Sequence, residues 1–159
     1  MMSGGGAPST DVSDVAGMRV AIVAASWHDT VMKGLLDSAV GYCQEVGAEA
    51  EVIRVPGTFE LPIVARACAE SGVAAVIALG VVIRGGTPHF EFVCDAATSG
   101  LTRVALDTGV PIGFGVLTCD DEAQALDRAG LPGSHEDKGR EAAHAALATA
   151  LVLRGIATP

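Results

Sequence analysis

The apolar run from Val73 to Ile83 is the feature of this sequence that most constrains its fold. It is much shorter than the ~18–20 residues of a membrane-spanning helix. It leads directly into Arg84-Gly85-Gly86-Thr87, and a helical pattern begins after Pro88 and His89. A buried strand that passes through a short turn into a helix is typical of the βα units of α/β proteins. The run therefore predicts a strand inside a sheet that helices cover.

The same alternation of apolar runs and helical patterns recurs along the chain. Further strands are predicted at 18–25, 48–55 and 111–117, and helices at 31–46, 62–70, 90–108, 122–129 and 138–155. Short connections between strands and helices favour parallel strands and right-handed crossovers. We expect a flavodoxin-like three-layer α/β sandwich, a four-stranded parallel sheet with helices on both faces, in one domain over residues 18–159. Residues 1–17 are rich in Gly and Ser and predict a flexible N-terminal arm.

Composition excludes several functional classes. The net charge is −9 and the ten cationic residues are scattered, which disfavours binding to nucleic acid. The N-terminus has neither the basic cluster nor the apolar segment of a signal peptide, so a cytoplasmic location is expected. The four cysteines form no CxxC pair, which favours buried free thiols over a metal site; they are Cys43, Cys68, Cys94 and Cys119.

Unusual residues follow each of the first three predicted strands, and ligands of open α/β sheets bind at those strand ends. Trp27 could stack on a flat ligand or simply pack. Glu60, after Thr58 and Phe59, could accept hydrogen bonds from a ligand or only complement a helix dipole. Gly85-Gly86-Thr87 suits a phosphate but is also an ordinary turn. His89 could transfer protons, or could only cap or pack the next helix.

Three more residues could complete such a site. Phe114 lies between two glycines and is expected in the loop that ends the fourth predicted strand. Arg128 and Lys138 flank the last connection, and the planar fork of Arg128 fits phosphate oxygens better than an ammonium does. Both cations could equally be surface residues, Lys138 at the start of a helix. No partner is evident for His28, His135 or His144.

The last predicted helix carries no formal charge between Glu141 and Arg154. A helix that is apolar on nearly all sides is usually covered on more than one side. A subunit interface along this helix is one interpretation. A partly exposed Ala-rich helix is the other.

Several segments together resemble the lumazine synthases of riboflavin biosynthesis. The resemblance covers the chain from about Arg19 to Ile156, in order, and depends on five segments: Val55-Pro56-Gly57-Thr58-Phe59-Glu60-Leu61-Pro62, 78–90 (Ala-Leu-Gly-Val-Val-Ile-Arg-Gly-Gly-Thr-Pro-His-Phe), 113–118 (Gly-Phe-Gly-Val-Leu-Thr), 124–130 (Gln-Ala-Leu-Asp-Arg-Ala-Gly) and Asp137-Lys138-Gly139. It implies condensation of 5-amino-6-(D-ribitylamino)uracil with 3,4-dihydroxy-2-butanone 4-phosphate. The products are the lumazine, phosphate and water, and no metal or organic cofactor is implied.

The resemblance also implies roles for individual residues. His89 is the residue of proton transfer. The pyrimidine and its ribityl chain are bound by Trp27, Thr58, Phe59, Glu60, Val81, Val82, Ile83 and by Phe114 from the neighbouring subunit. The butanone phosphate is bound by Gly86, Thr87 and Arg128, with Lys138 near the phosphate. Trp27 and Thr58 stand where phenylalanine and alanine are common in the family, and the wider Trp27 ring suggests riboflavin as a further ligand.

Assembly is implied as well. The family's sites lie between subunits of a homopentamer, some members form a shell of sixty subunits, and the N-terminal arm adds a strand to a neighbour's sheet. The loop from Leu131 to Asp137 does not resemble that of shell-forming members, so the isolated pentamer is favoured. Two alternatives stay open: a non-catalytic flavin- or lumazine-binding relative, and a flavodoxin-like nucleotide-binding or regulatory domain.

Overall fold

The structure is a computed structural model that describes residues 11–158. The strands are β1 (Arg19–Ala25), β2 (Glu49–Val55), β3 (Ala75–Ile83) and β4 (Ile112–Cys119). The helices are α1 (Asp29–Val46), α2 (Leu61–Glu70), α3 (His89–Thr108), α4 (Glu122–Asp127) and α5 (Lys138–Ala157). Two 3-10 turns, Ser13–Val15 and Thr58–Glu60, precede β1 and α2.

The four strands form one parallel sheet in the order β2-β1-β3-β4. Successive side chains of a strand point to opposite faces. Val20 and Ile22 of β1 therefore face a core shared with α1 and α5, whereas Ala21 and Val23 face a core shared with α2 and α3. Covering on both faces explains why β3 is apolar along its whole length. The predicted three-layer fold is confirmed.

Strand order also locates a crevice. The chain leaves β1 for β2 at the sheet edge and returns to β3 on the other side of β1. The connections that follow β1 and β3 consequently diverge, and a crevice opens between them at the carboxyl ends of these strands.

The end of β4 and the extent of α4 differ from the sequence prediction. β4 continues to Cys119, whose carbonyl accepts a hydrogen bond from Arg84 N at 2.9 Å. Asp121 then caps α4 by accepting from Gln124 N at 2.9 Å. The helix ends at Asp127, because the backbone from Arg128 onward pairs with residues 136–138 instead.

Helix α5 is covered within its own chain on two sides. A Cβ on Gly139 would lie 2.2 Å from the carbonyl oxygen of Leu35 in α1, and a Cβ on Gly113 of β4 would lie 2.2 Å from that of Ala142. These close approaches account for much of the helix's small, uncharged composition. Exposed large apolar residues remain near its end, at Val152, Leu153 and Ile156. The subunit interface along this helix stays a prediction.

Most of the predicted N-terminal arm lies outside the described residues. Its last part packs on its own chain: Val12 and Val15 are buried with Met18 in the core under α1 and α5. The carbonyl of Asp14 accepts a hydrogen bond from Arg154 Nη1 at 3.2 Å. Within residues 11–158, no helix has the length and apolar character needed to cross a bilayer.

Candidate active site

A cavity of about 690 Å³ opens at the carboxyl ends of β1 and β3. This volume lies within the roughly 300–1,000 Å³ that is usual for small-molecule sites. Eight of the residues predicted for the site line it together. The lining consists of Trp27, His28, Gly57, Thr58, Phe59, Glu60, Val81, Val82, Ile83, His89, Phe92 and Val93.

Trp27 forms one wall, in the turn between β1 and α1. The residue is 68% exposed, so the ring offers a free apolar face and does not pack in the core. The next residue, His28, has φ of 63°, a left-handed conformation that non-glycine residues seldom adopt. A Cβ on Gly57 would lie 3.2 Å from Cδ1 of Trp27. Glycine at position 57 thus lets the β2–α2 loop approach the indole closely.

The segment Thr58–Glu60 forms the second wall as a 3-10 turn. Glu60 Oε1 accepts a hydrogen bond from Gly57 N at 2.9 Å, which fixes the turn, and Glu60 also lines the cavity. The buried Thr58 hydroxyl donates to the carbonyl of Val81 at 3.4 Å. Thr58 therefore ties this loop to β3 in addition to lining the cavity. Phe59 is exposed beside it.

The end of β3 supplies the floor. The pairing of β1 with β3 ends at Ala24 and Leu79, whereas the pairing of β3 with β4 continues to Ile83 and Cys119. The strand therefore projects beyond β1 on the side of the cavity. Val81, Val82 and Ile83 lie in this projecting part, where backbone as well as side-chain atoms can meet a ligand.

His89 is the first residue of α3 and faces the cavity. Phe92 and Val93 follow at helical spacings of three and four, on the same face of the helix. Neither was predicted for the site, although this spacing from His89 is a signal that could have identified them. His28 and Gly57 were also missed, because their positions depend on the turn geometry of the β1 and β2 loops.

The glycine loop, residues 85–87, lies next to the cavity but outside its lining. Neither Gly85 nor Gly86 has a positive φ, and a Cβ on either would have no neighbour within 4 Å. A left-handed turn therefore does not require glycine at these two positions. The remaining explanation is that a backbone without side chains lets a ligand approach closely. Thr87 Oγ1 accepts a hydrogen bond from His89 N at 3.5 Å.

Arg84 anchors this loop to two other elements. Its Nε donates to Asp120 Oδ1 at 3.0 Å, its Nη1 pairs with Glu91, and its guanidinium lies 4.3 Å from the ring centre of Phe90. Hydrogen bonds from Arg84 lower the pKa of Asp120 and the pKa of Glu91 below their ordinary values. The loop is thereby fastened at the residue that precedes it.

Arg128 and Lys138 lie together outside the cavity lining, in a cluster with two carboxylates. Glu136 is within 3.0 Å of Lys138 and 3.7 Å of Arg128, and Glu141 is 3.0 Å from Lys138. Partial burial acts to lower the pKa of Lys138, but its hydrogen bonds to Glu141 and Glu136 outweigh this and the pKa is raised. Lys138 therefore stays charged. We call Arg128, Glu136, Lys138 and Glu141 the cation cluster.

Five of the predicted residues are not in the lining of the cavity: Gly86, Thr87, Phe114, Arg128 and Lys138. Phe114 was expected where the fourth strand ends, and this was wrong. It is the third residue of β4, is paired with Ala78, and is 46% exposed. Within one chain, the cation cluster and Phe114 therefore lie outside the cavity.

No group of three or more His, Cys, Asp or Glu side chains in residues 11–158 is arranged to hold a metal ion. All four cysteines are free thiols. Burial raises the pKa of Cys43 to about 11, so this thiol remains protonated and unreactive.

The sequence model of the family described as 6,7-dimethyl-8-ribityllumazine synthase matches residues 17–154. Curated relatives with that name include a protein of Streptomyces avermitilis, 60% identical over 99% of this chain and 99% of its own length. One of Leifsonia xyli subsp. xyli is 62% identical over 98% and 99%, and one of Kocuria rhizophila 63% identical over 96% and 99%. The matched region spans the cavity and the cation cluster.

Proposed function

Because the chain belongs to the 6,7-dimethyl-8-ribityllumazine synthase family and is therefore a transferase, we propose that it condenses 5-amino-6-(D-ribitylamino)uracil with 3,4-dihydroxy-2-butanone 4-phosphate. The products are 6,7-dimethyl-8-ribityllumazine, phosphate and water. The observation that carries this proposal is the single cavity in which Trp27, Glu60 and His89 meet at the end of β3.

The cavity suits the pyrimidine substrate. The exposed ring of Trp27 stacks on the heterocycle, and the projecting end of β3 borders its edge. Glu60 accepts hydrogen bonds from the ribityl hydroxyls, since a carboxylate has several acceptor sites and only one of its oxygens is used by Gly57. Phe59 lies beside the same chain. Trp27, Thr58, Phe59, Glu60 and Val81–Ile83 thus bind the first substrate.

The reaction needs proton transfers at several steps. The 5-amino group attacks the ketone to give an imine and water, phosphate is then eliminated, and the second amine closes the ring with loss of water. His89 lies in the cavity wall at the head of α3, where it exchanges protons with the reacting atoms. Much of the acceleration comes from holding the two reactants together, because a bimolecular step becomes effectively unimolecular.

The phosphate is held by Gly86 and Thr87 of one subunit and by Arg128 and Lys138 of the next. Within one chain the cation cluster and the exposed Phe114 lie outside the cavity lining. A homo-oligomer, which we propose is a pentamer, brings the cation cluster and Phe114 of one subunit to the cavity of the adjacent subunit. The exposed apolar side chains of Ile63, Phe92 and Leu106 on α2 and α3 support such an interface.

The function is tested by mixing both substrates with the protein and recording the absorbance and fluorescence of the lumazine. We expect enzyme-dependent formation of the lumazine with release of phosphate. Binding of the pyrimidine without turnover would identify a non-catalytic binding protein instead. Absence of binding to both substrates would favour an unrelated nucleotide-binding domain.

Replacement of His89 by Ala is expected to lower kcat by roughly 10²-fold, the low end of the range for general acid–base catalysis, without abolishing turnover. Steady-state kinetics with both substrates measures this. A complete loss of turnover with intact substrate binding would contradict the view that His89 only transfers protons.

Replacement of Arg128 by Ala is expected to raise KM for the butanone phosphate by about tenfold, in keeping with the loss of a charge-assisted hydrogen bond. The KM for the pyrimidine should change little. Lys33→Ala is the control, because it removes one cation from an exposed pair with Asp37 on α1. An unchanged KM in Arg128→Ala would remove Arg128 from the phosphate site.

A further inference from the structure

The backbone around the cation cluster forms a short antiparallel ladder. Lys138 N donates to Arg128 O at 3.0 Å, Gly130 N donates to Glu136 O at 3.0 Å, and Ala129 bridges with Asp137. In such a ladder Arg128 lies opposite Lys138. Glu136, two residues before Lys138, points to the same face. The ladder therefore brings the three side chains together.

Glu136 is the buried member of this group. Its side chain is 3% exposed, whereas those of Arg128 and Lys138 are 30% and 26% exposed. One carboxylate oxygen, Oε1, lies 3.0 Å from Lys138 Nζ, and the other, Oε2, lies 3.7 Å from Arg128 Nε. A buried carboxylate is strongly disfavoured unless it is paired. Glu136 and the two cations thus hold one another in place.

The outer atoms of both cations are fixed from other sides as well. Arg128 Nη1 donates to the carbonyl of Gln124 at 2.9 Å, and Lys138 Nζ lies 3.0 Å from Glu141. Two cations and two carboxylates give the cluster no net charge. Attraction of an anion by excess positive charge is therefore weak, and the placement of the two cationic groups decides the affinity.

We propose that Glu136 is a positioning residue for phosphate recognition, which holds the guanidinium of Arg128 and the ammonium of Lys138 at the spacing that the butanone phosphate requires. This inference depends on the proposed function, in which both cations bind that phosphate. Without the bridging charge the two cations repel each other, and Arg128 turns away from Lys138.

The test is Glu136→Gln, which keeps the shape of the side chain and removes its charge. We expect KM for the butanone phosphate to rise by about tenfold, a loss comparable to one charge-assisted hydrogen bond. The inhibition constant of inorganic phosphate should rise in parallel. The kcat and the KM for the pyrimidine should stay within about twofold, since Glu136 contacts neither the reacting atoms nor the pyrimidine. The matched control is Glu45→Gln, which removes a carboxylate from an exposed pair with Arg140 and should change none of these constants.

A positioning role and a purely electrostatic role predict opposite changes in KM for the variant Glu136→Gln. If Glu136 only offset the positive charge, Glu136→Gln would tighten the binding of both phosphates. A lower or unchanged KM therefore overturns the proposal. If the variant does not assemble, Glu136→Asp decides: its carboxylate cannot reach both cations, so KM should rise, and an unchanged KM overturns the proposal.

A double-mutant cycle with Arg128→Ala separates this inference from the proposed function. The effect of Glu136→Gln on KM should fall to about half or less, on a logarithmic scale, once Arg128 is absent, because coupled residues are not additive. An undiminished effect would overturn the bridge between the two cations. If Arg128→Ala itself leaves KM unchanged, the proposed phosphate site fails, and Glu136 has no phosphate ligand to position.

Discussion

Arg84 illustrates how much a single exposed side chain can organise at this site. It follows β3 directly and contacts Asp120 after β4 and Glu91 in α3. Exposed ion pairs usually stabilise a protein little. Here one guanidinium joins three elements at the start of the glycine loop, so its effect is on the position of that loop as well as on stability.

Replacement of Arg84 by Gln should make the stability of the protein less sensitive to acid. The folded-state pKa values of Asp120 and Glu91 are lowered by Arg84 from their ordinary 3.8 and 4.5. The two carboxylates stabilise the folded state at pH values above their ordinary pKa values, and this stabilisation is lost as the pH falls through their folded-state pKa values. The variant should have a slightly lower Tm near neutral pH, and the difference from the unsubstituted protein should vanish in acid.

Thermal unfolding followed by circular dichroism over a series of pH values measures this effect. Arg103→Gln is the matched control, because Arg103 forms an exposed pair with Asp107 within α3, four residues away. The pH-dependent part of the difference in Tm should be larger for Arg84→Gln, because Arg84 pairs with two carboxylates and Arg103 with one. A constant difference between Arg84→Gln and the unsubstituted protein at every pH would contradict the assigned partners.

Residues of the site were predictable from the sequence where they follow a strand. Trp27, Glu60 and His89 each come shortly after a predicted strand, and parallel strands end at one edge of a sheet. The structure brings these three together in one cavity. Glu136 was not predicted, because its burial depends on a ladder between two segments that have no regular hydrophobic period.

At the scale of elements, the close contact between α1 and α5 determines where Lys138 is held. Gly139, the second residue of α5, is buried against Leu35 of α1. Any larger residue at position 139 would push the start of α5 away from α1. The cation cluster at that helix start would move with it.

Gly139→Ala should therefore destabilise the protein, by about 1–3 kcal/mol as for other overpacked sites. The control Gly41→Ala lies on the exposed side of α1, where a Cβ would have no neighbour within 4 Å. That change should stabilise the protein by roughly 0.5–1 kcal/mol, because alanine favours the helix. Urea unfolding at a fixed protein concentration compares the two. Equal and small effects would argue against the close helix contact.

The elements themselves were predictable because their hydrophobic periods differ so clearly. Both faces of β1 and β3 are covered, which gives continuous apolar runs, and the helices show spacings of three and four. The end of α4 was not predictable: Arg128 and Ala129 continue a helical pattern in sequence, but their backbone pairs with residues 136–138. The backbone pairing with residues 136–138 overrides the local preference of this segment for a helix.

At the scale of the whole molecule, one subunit presents two incomplete halves of the proposed site. The cavity contains His89 and the aromatic wall, and the cation cluster lies outside its lining. Phe59 and Phe92 are exposed at the cavity, and Phe114 is exposed on β4, outside the cavity lining. Sequence periodicity assigns residues to a core or a surface within one chain, so it could not divide the site between subunits. Only the resemblance to the family suggested that division.

In the proposed enzyme, catalysis occurs at a site shared by two subunits. The direct measurement is lumazine formation by hybrid oligomers, made by unfolding and refolding equimolar His89→Ala and Arg128→Ala chains together. If a site takes His89 from one subunit and Arg128 from the next, about a quarter of the sites in random hybrids carry both native residues.

At butanone phosphate concentrations well below KM, these hybrids should be clearly more active than the mean of the two parent variants. Native mass spectrometry verifies that the hybrids contain both chains. If verified hybrids show only the mean activity of the two parents, each site takes both residues from a single chain. That result would contradict the shared site.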